Sequence, residues 1–323
     1  MKKVVAILAI SLALFASNSM AADPALARVT FIPQWIPQAQ FAGYMMALEK
    51  GFYKESGLDV EILRGGPADS PLEALQSGRA TFCSLWVSTA VQHRAMGVKL
   101  VNLAQIVQHS ALMIVAKKAS GIINLENLNG RRVGLWEGDF KIQPLALFKS
   151  RNLSVIEVPL YSTVNLFLKG AVEAMTAMWY NEYHTLLNTG LEPDDLTTFF
   201  FRDYGLNFPE DGIYCLEKTL IDNPSVCEGF VQASLKGWIY AFEHEKETLD
   251  VVMKYTDTAH TGTNRAHQTW MLARMKDLIF PNGDKAVFGK LDVQQYLLVT
   301  NTLQSLGFIK NAPGYEDFYR GQR

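Results

Sequence analysis

Short apolar runs alternate with amphipathic segments along the first two thirds of the chain, and helical periodicity dominates the rest. A run at 27–32 predicts a first strand, 39–50 a helix stopped by Gly51, and 58–63 a second strand. Further strands are predicted at 81–85, 100–106, 112–116, 131–136, 155–159, 174–179, 199–204 and 213–217. Short helices fall between them, near 72–77, 90–96, 142 onward, 163–169 and up to 188. After Asn223-Pro224 the pattern changes to long amphipathic helices at 226–243, 245–255, 265–278 and 293–306. The chain therefore reads as an α/β unit at 27–116, a second at about 117–211, and a helical tail. The economical arrangement has two lobes: 23–116 with 212–323 as lobe one, and 117–211 as lobe two. The chain crosses between them near Lys117 and again near Asp211, which makes a hinge and leaves a cleft faced by the strand-end loops of both.

Open α/β sheets place ligands at the carboxyl ends of their strands. Four such junctions carry aromatic and polar residues together. The first holds Trp35, Gln38, Gln40, Phe41 and Tyr44. The second holds Ser84, Trp86 and Ser88, the third Trp136 and Glu137, and the fourth Tyr180, Asn181, Glu182 and Tyr183. These are the candidate ligand-binding residues. Trp179, Trp238, Trp270 and the Phe199–Phe201 run are assigned to the core.

The 323 residues, 49% apolar with a net charge of −2, can build one large or two medium cores. No basic stripe suggests nucleic acid. Lys2 and Lys3, an apolar run at 4–16 and small residues before Ala22 predict a signal peptide at 1–22. No other stretch is long enough to span a bilayer, so a soluble periplasmic protein is expected. Cys83, Cys215 and Cys227 cannot form a disulfide framework, although the last two could pair in an oxidising compartment. No spacing of ligating residues points to a metal, and no cofactor is implied. The six histidines are scattered and are expected to be solvated or satisfied.

Several motifs carry a family resemblance: Trp35-x-Pro-x-x-x-Phe-Ala-Gly-Tyr44, Glu49-Lys-Gly-Phe-Tyr53, Gly57-Leu-Asp-Val60, Gly65-Gly-Pro67 and Leu128-x-Gly-x-x-Val-Gly134. They resemble the solute-binding proteins of ABC importers, in the branch for aliphatic sulfonates and thiamine-pyrimidine precursors. Met178-x-Tyr-Asn-Glu-Tyr183 and Asp211-Gly-Ile213 are similar to the precursor-type members. The resemblance implies the two-lobed periplasmic-binding-protein fold of type II, its helical tail packed on lobe one. It also implies a monomeric receptor that captures a small molecule and delivers it to an inner-membrane permease with its ATPase. The same fold serves a thiamine-pyrimidine synthase that needs a lysine for pyridoxal phosphate and a histidine consumed as substrate. Those positions fall here at Leu85 and Thr89, and leucine forms no Schiff base; Lys141, the nearest charged candidate, is expected at a lobe surface.

The pooled aromatics offer flat faces to a planar ring, and the amides and carboxylates could read ring nitrogens and exocyclic amines. A sulfonate would instead want cations, and Arg64 is the main one near a junction. The expected cargo is a planar nitrogen heterocycle, a thiamine-precursor pyrimidine, with riboflavin or a sulfonate such as taurine as rivals.

Overall fold

A computed structural model describes residues 25–161 and 163–321. The expected signal peptide at 1–22 lies outside the described residues. The chain forms two five-stranded sheets. Strands β1 (Ala27–Ile32), β2 (Leu58–Ile62), β3 (Phe82–Trp86) and β4 (Leu100–Gln105) belong to the first. Strands β5 (Leu112–Lys117), β6 (Arg132–Trp136), β7 (Ile156–Leu160), β8 (Ala174–Met178) and β9 (Leu196–Phe200) make the second. β10 (Asp211–Leu216) returns to the first.

The strand orders are β2-β1-β3-β10-β4 and β7-β6-β8-β5-β9. Each sheet therefore has a parallel core with one antiparallel strand inserted fourth: β10 against β3 and β4, and β5 against β8 and β9. The inserted strand is in each case the one that arrives from the other sheet. The two halves share a topology although no residue-level repeat announces it.

One sequence expectation is corrected here. The run at 112–116 was assigned to the first unit as its last strand, but β5 pairs with β8 and β9 in the second sheet. Its residues Leu112 to Ala116 are all buried, so hydrophobicity identifies a strand without naming its partners. The crossings accordingly lie at 106–111 and 201–210. They are tied to each other: the Ile106 and Val107 N–H groups donate to the Asp211 carbonyl at 3.1 and 3.0 Å, and the Glu210 N–H donates to the Val107 carbonyl.

The tail packs on the first sheet. The helix Pro224–Glu243 lies along Ala42–Glu49, and the ring of Phe230 stacks on Tyr53 and Phe82. Close approach of these helices needs Gly43, where a Cβ would stand 2.2 Å from the ring of Trp238. That ring is fully buried, as expected from the sequence, and edges onto Tyr44. Among the described residues no helix is long and apolar enough to cross a membrane. The three cysteines are buried and free.

Gly43→Ala should lower stability by about 1–3 kcal/mol, because the indole cannot retreat within a filled core. Urea unfolding reads this, and an unchanged midpoint would mean that the two helices are less tightly seated than described.

Candidate functional site

Between the sheets lies a cavity of about 130 Å³. Its floor is the loop after β1. The Gln34 N–H of this loop donates to Ser84 Oγ at 2.9 Å, and the Ala39 N–H donates to Oε1 of Gln268, on the tail helix Arg265–Ile279, at 2.7 Å. Gly65 lies beneath it at φ +65°, where a Cβ would fall 2.2 Å from the Pro33 carbonyl oxygen. So anchored, the loop presents Gln34, Trp35, Gln38 and Gln40 to the cavity, and β3 ends beside it with Trp86.

The second sheet supplies the opposite wall: Leu112, Trp136, Phe140, Met178, Tyr180, Asn181 and Glu182. Trp136 is held by its indole N–H, which donates to the Thr176 carbonyl at 3.1 Å. Phe140 meets Trp86 edge-on with ring centroids 4.7 Å apart, so aromatic rings of the two sheets touch across the cleft.

The polar groups form chains that end on carboxylates. The Gln38 side-chain N–H donates to Gln40 Oε1 at 2.6 Å, and the Gln40 amide donates in turn to Asp211 Oδ2 at 2.7 Å. The Gln34 amide donates to the other oxygen of Asp211. On the far wall Glu182 accepts from the Met178 N–H at 2.9 Å and from the Asn181 side chain at 2.7 Å. Each of these bonds uses one N–H of its amide, so Gln34 and Gln38 retain a carbonyl oxygen and a second N–H, Glu182 keeps lone pairs, and the Tyr180 hydroxyl can donate or accept. Among the described residues no lysine or arginine lines the cavity.

Burial shifts the acids of this region. Glu182, 8% exposed, is pushed up to about 7 by desolvation, against the pull of the Met178 N–H and Asn181. Asp211 rises to about 7 for the same reason, with Gln40 opposing. Glu210, on the second crossing, rises to about 8: desolvation leads, the Ala111 N–H at 2.6 Å opposes, and the charge of Asp211 adds.

Of the expected residues, Trp35, Gln38, Gln40, Trp86, Trp136, Tyr180, Asn181 and Glu182 line the cavity. The other six do not. Phe41 and Tyr44 are only 1% exposed, and Tyr44 packs into the core with its ring centroid 4.4 Å from that of Phe31. They sit on the first turn leading away from the cleft, so the helix turns them inward. Ser84 and Ser88 are buried, the former as the anchor of the Gln34 N–H. Glu137 points outward to Lys141 at 3.1 Å, and Lys141 also meets Glu157, as a surface lysine would. Tyr183 is half-buried against Trp270.

Sequence reasoning missed Gln34, Leu112, Phe140 and Met178. Phe140 follows Trp136 in the same loop and could have been counted with it. Trp270, assigned to the core, instead donates to the Trp179 carbonyl at 3.0 Å and is half-buried where the tail meets the second sheet. Leu85, at the position where the synthase-type resemblance requires a lysine, is a core residue.

The comparisons with known proteins agree with this geometry. The chain belongs to the NMT1/THI5 like family, whose model matches residues 38–248. The formylaminopyrimidine-binding protein of Halalkalibacterium halodurans is 22% identical over 94% of this chain and 92% of its own. Two further relatives are 23% identical. One is the riboflavin-binding protein RibY of Chloroflexus aurantiacus, matched over 75% of this chain and 70% of its own. The other is the 4-amino-5-hydroxymethyl-2-methylpyrimidine phosphate synthase of Legionella pneumophila, matched over 72% and 75%. Among solved structures, the periplasmic aliphatic sulphonate binding protein SsuA of Escherichia coli superposes with a TM-score of 0.70 at 14% identity, covering 91% of both chains. The fold is thus the periplasmic-binding-protein fold that the resemblance implied.

The raised acids set a pH dependence. A carboxyl whose folded value lies above its unfolded one holds a proton that the unfolded chain releases. Its contribution is complete below the unfolded value near 4.5 and is lost as pH rises through the folded value near 8. Stability should therefore fall between those limits. Glu210→Gln, which keeps an acceptor for the Ala111 N–H, should make the fall shallower. Urea unfolding across that interval checks this, and an equal slope in wild type and variant would contradict it.

Proposed function

We propose that this protein is the extracytoplasmic receptor of an ABC importer and that its cargo is a small aminopyrimidine of the thiamine-precursor type, bound without chemical change. The observation that carries the reading is the cavity itself: about 130 Å³, walled by aromatic rings, rich in acceptors and, among the described residues, free of lysine and arginine. A space of that size suits one ring, since a cavity of roughly 150 Å³ holds benzene. A ring stacked on Trp35 of one wall or Trp136 of the other gains about 0.5–1.5 kcal/mol per pair beyond area burial. Exocyclic amines would donate to Glu182 and to the Gln34 and Gln38 carbonyls, and ring nitrogens would accept from Tyr180.

The rivals fit less well. A sulfonate would meet the Glu182 carboxylate with no cation to offset it, although SsuA shares the fold. The tricyclic ring of riboflavin would have to reach beyond this space into the adjoining cleft of about 450 Å³, which shares Trp35, Gln38, Trp136, Asn181 and Glu182 with it. Synthase chemistry lacks its lysine, because Leu85 occupies that position and Thr89 the histidine position.

Each sheet supplies one wall, so the guest stabilises the closed arrangement through contacts that an open one lacks. The crossings at 106–111 and 201–210 serve as the hinge. A permease in the inner membrane, working with its ATPase, then takes the closed form as a monomer, and the receptor itself resides in the periplasm after loss of residues 1–22.

Calorimetry with 4-amino-5-hydroxymethyl-2-methylpyrimidine, riboflavin and taurine tests the reading. The aminopyrimidine should bind, and the other two should bind far more weakly. Glu182→Gln should weaken the aminopyrimidine by about 1–3 kcal/mol, since the pairing of its amine is impaired. Tight binding of taurine, or of the pyrimidine by the variant at wild-type strength, would overturn the assignment.

A further inference from the structure

The Glu182 carboxylate is the start of a hydrogen-bond chain that leaves the cavity, crosses to the tail at His267 and returns to the second sheet's side at His184. Asn181 Nδ2 donates to Glu182 Oε1 at 2.7 Å. Asn181 Oδ1 lies 2.9 Å from Nε2 of His267, on the helix Arg265–Ile279. His267 Nδ1 lies 3.0 Å from Nδ1 of His184, on the helix Glu182–Leu187.

When Glu182 is ionised, as it is while an amine donates to it, the polarity of this chain is set from one end: a carboxylate can only accept, so Asn181 turns its amide N–H₂ toward Glu182. Its oxygen then faces His267, and His267 Nε2 must carry a hydrogen. In a neutral imidazole the other nitrogen is then bare, so His267 Nδ1 accepts and His184 Nδ1 must be the donor; Asn188, whose side-chain amide lies 3.3 Å from that same nitrogen, then turns its oxygen rather than its N–H₂ toward it. Burial keeps both rings below the usual histidine range, His267 down to about 4, with the charge of His184 as its second cause. Their neutral forms are therefore the ones to consider near neutral pH. The His184 ring is further held by stacking on Trp270, with centroids 5.0 Å apart and planes at 12°.

We infer that His267 is a positioning residue for the cargo: through Asn181 it fixes the orientation of Glu182, so a tail residue on the first sheet's side sets how a carboxylate of the second reads an amine. The inference rests on the proposed ligand class. Without His267, Asn181 Oδ1 loses its donor, and the amide is free to rotate and bring its oxygen toward the carboxylate. Glu182 then loses one of its two bonds and its defined lone-pair direction. Asn181 and Glu182 were both legible as candidates, whereas His267 lies in a different part of the sequence and was not.

The test has two readouts. Nitrogen-15 chemical shifts of the histidine rings in the wild-type protein should show the Nε2–H tautomer for His267 and the less common Nδ1–H tautomer for His184. Calorimetry should then compare His267→Ala and His267→Gln with wild type. The probes are 4-amino-5-hydroxymethyl-2-methylpyrimidine and its analogue without the 4-amino group. His267→Ala should weaken the amino compound on the order of tenfold and the deamino analogue much less. His267→Gln, whose amide can donate to Asn181, should recover most of the loss. The inference is overturned if the tautomers are reversed. It is also overturned if His267→Ala binds the amino compound as wild type does, or if it weakens both compounds equally, as a mere closure contact would. Failure of wild type to bind either pyrimidine would instead refute the proposed cargo, while the tautomers would still report on the chain.

Discussion

A buried carboxylate without a cation has to be met by neutral donors, and the arrangement around Asp211 is built on that demand. Asp211 is the first residue of the strand that returns from the second crossing, and both its oxygens are taken by side-chain amides of the loop after β1. Its own carbonyl accepts from the first crossing. One residue therefore joins the cleft floor to both crossings. Replacing the amides by a lysine would satisfy the charge more strongly, but it would also put a cation beneath the cavity. Using glutamines puts no positive charge there and turns an amide N–H of Gln34 and of Gln40 inward, while the Gln40 oxygen accepts from Gln38.

The same economy recurs at Glu210 and Glu182. Glu210 accepts from the Ala111 N–H and Ser110 Oγ, and Glu182 from the Met178 N–H and Asn181. Each is a desolvated acid held by dipoles, and each lies where the two sheets meet. Acids in such surroundings have raised pKa values, because desolvation penalises the charged form. An amine donating to Glu182 would oppose that drift by stabilising the anion, which is a further reason for a donor-bearing guest to be preferred over a bare hydrocarbon ring of the same size.

Much of this was legible in the sequence. Periodicity and turn residues located the strands and the tail helices, because alternation and 3.6-residue spacing are local properties. Pairing is not local. β5 reads as a strand, yet nothing in Leu-Met-Ile-Val-Ala says which sheet will take it. The site divides in the same way. Trp35, Trp86, Trp136 and Tyr180 follow from their position at strand ends, but Phe41 and Tyr44 lie one turn further on, where the helix faces the core. His267 carries no sequence signal at all, since its partners Asn181 and His184 are more than eighty residues away and only the return of the tail brings them together.

Fold and cargo part company at the cavity wall. The backbone superposes on a sulphonate receptor, and the strand orders alone would admit either kind of guest. What discriminates is a small set of side chains on a shared frame. A sulfonate site needs positive charge or unpaired backbone N–H groups directed at three oxygens. Here several N–H groups of the floor are engaged within the protein: the Gln34 N–H on Ser84, the Ala39 N–H on Gln268, and one N–H of each side-chain amide on Asp211 or Gln40. On the proposed assignment, a carboxylate-bearing wall without a facing cation would disfavour anions by desolvation and like charge and favour amines by pairing.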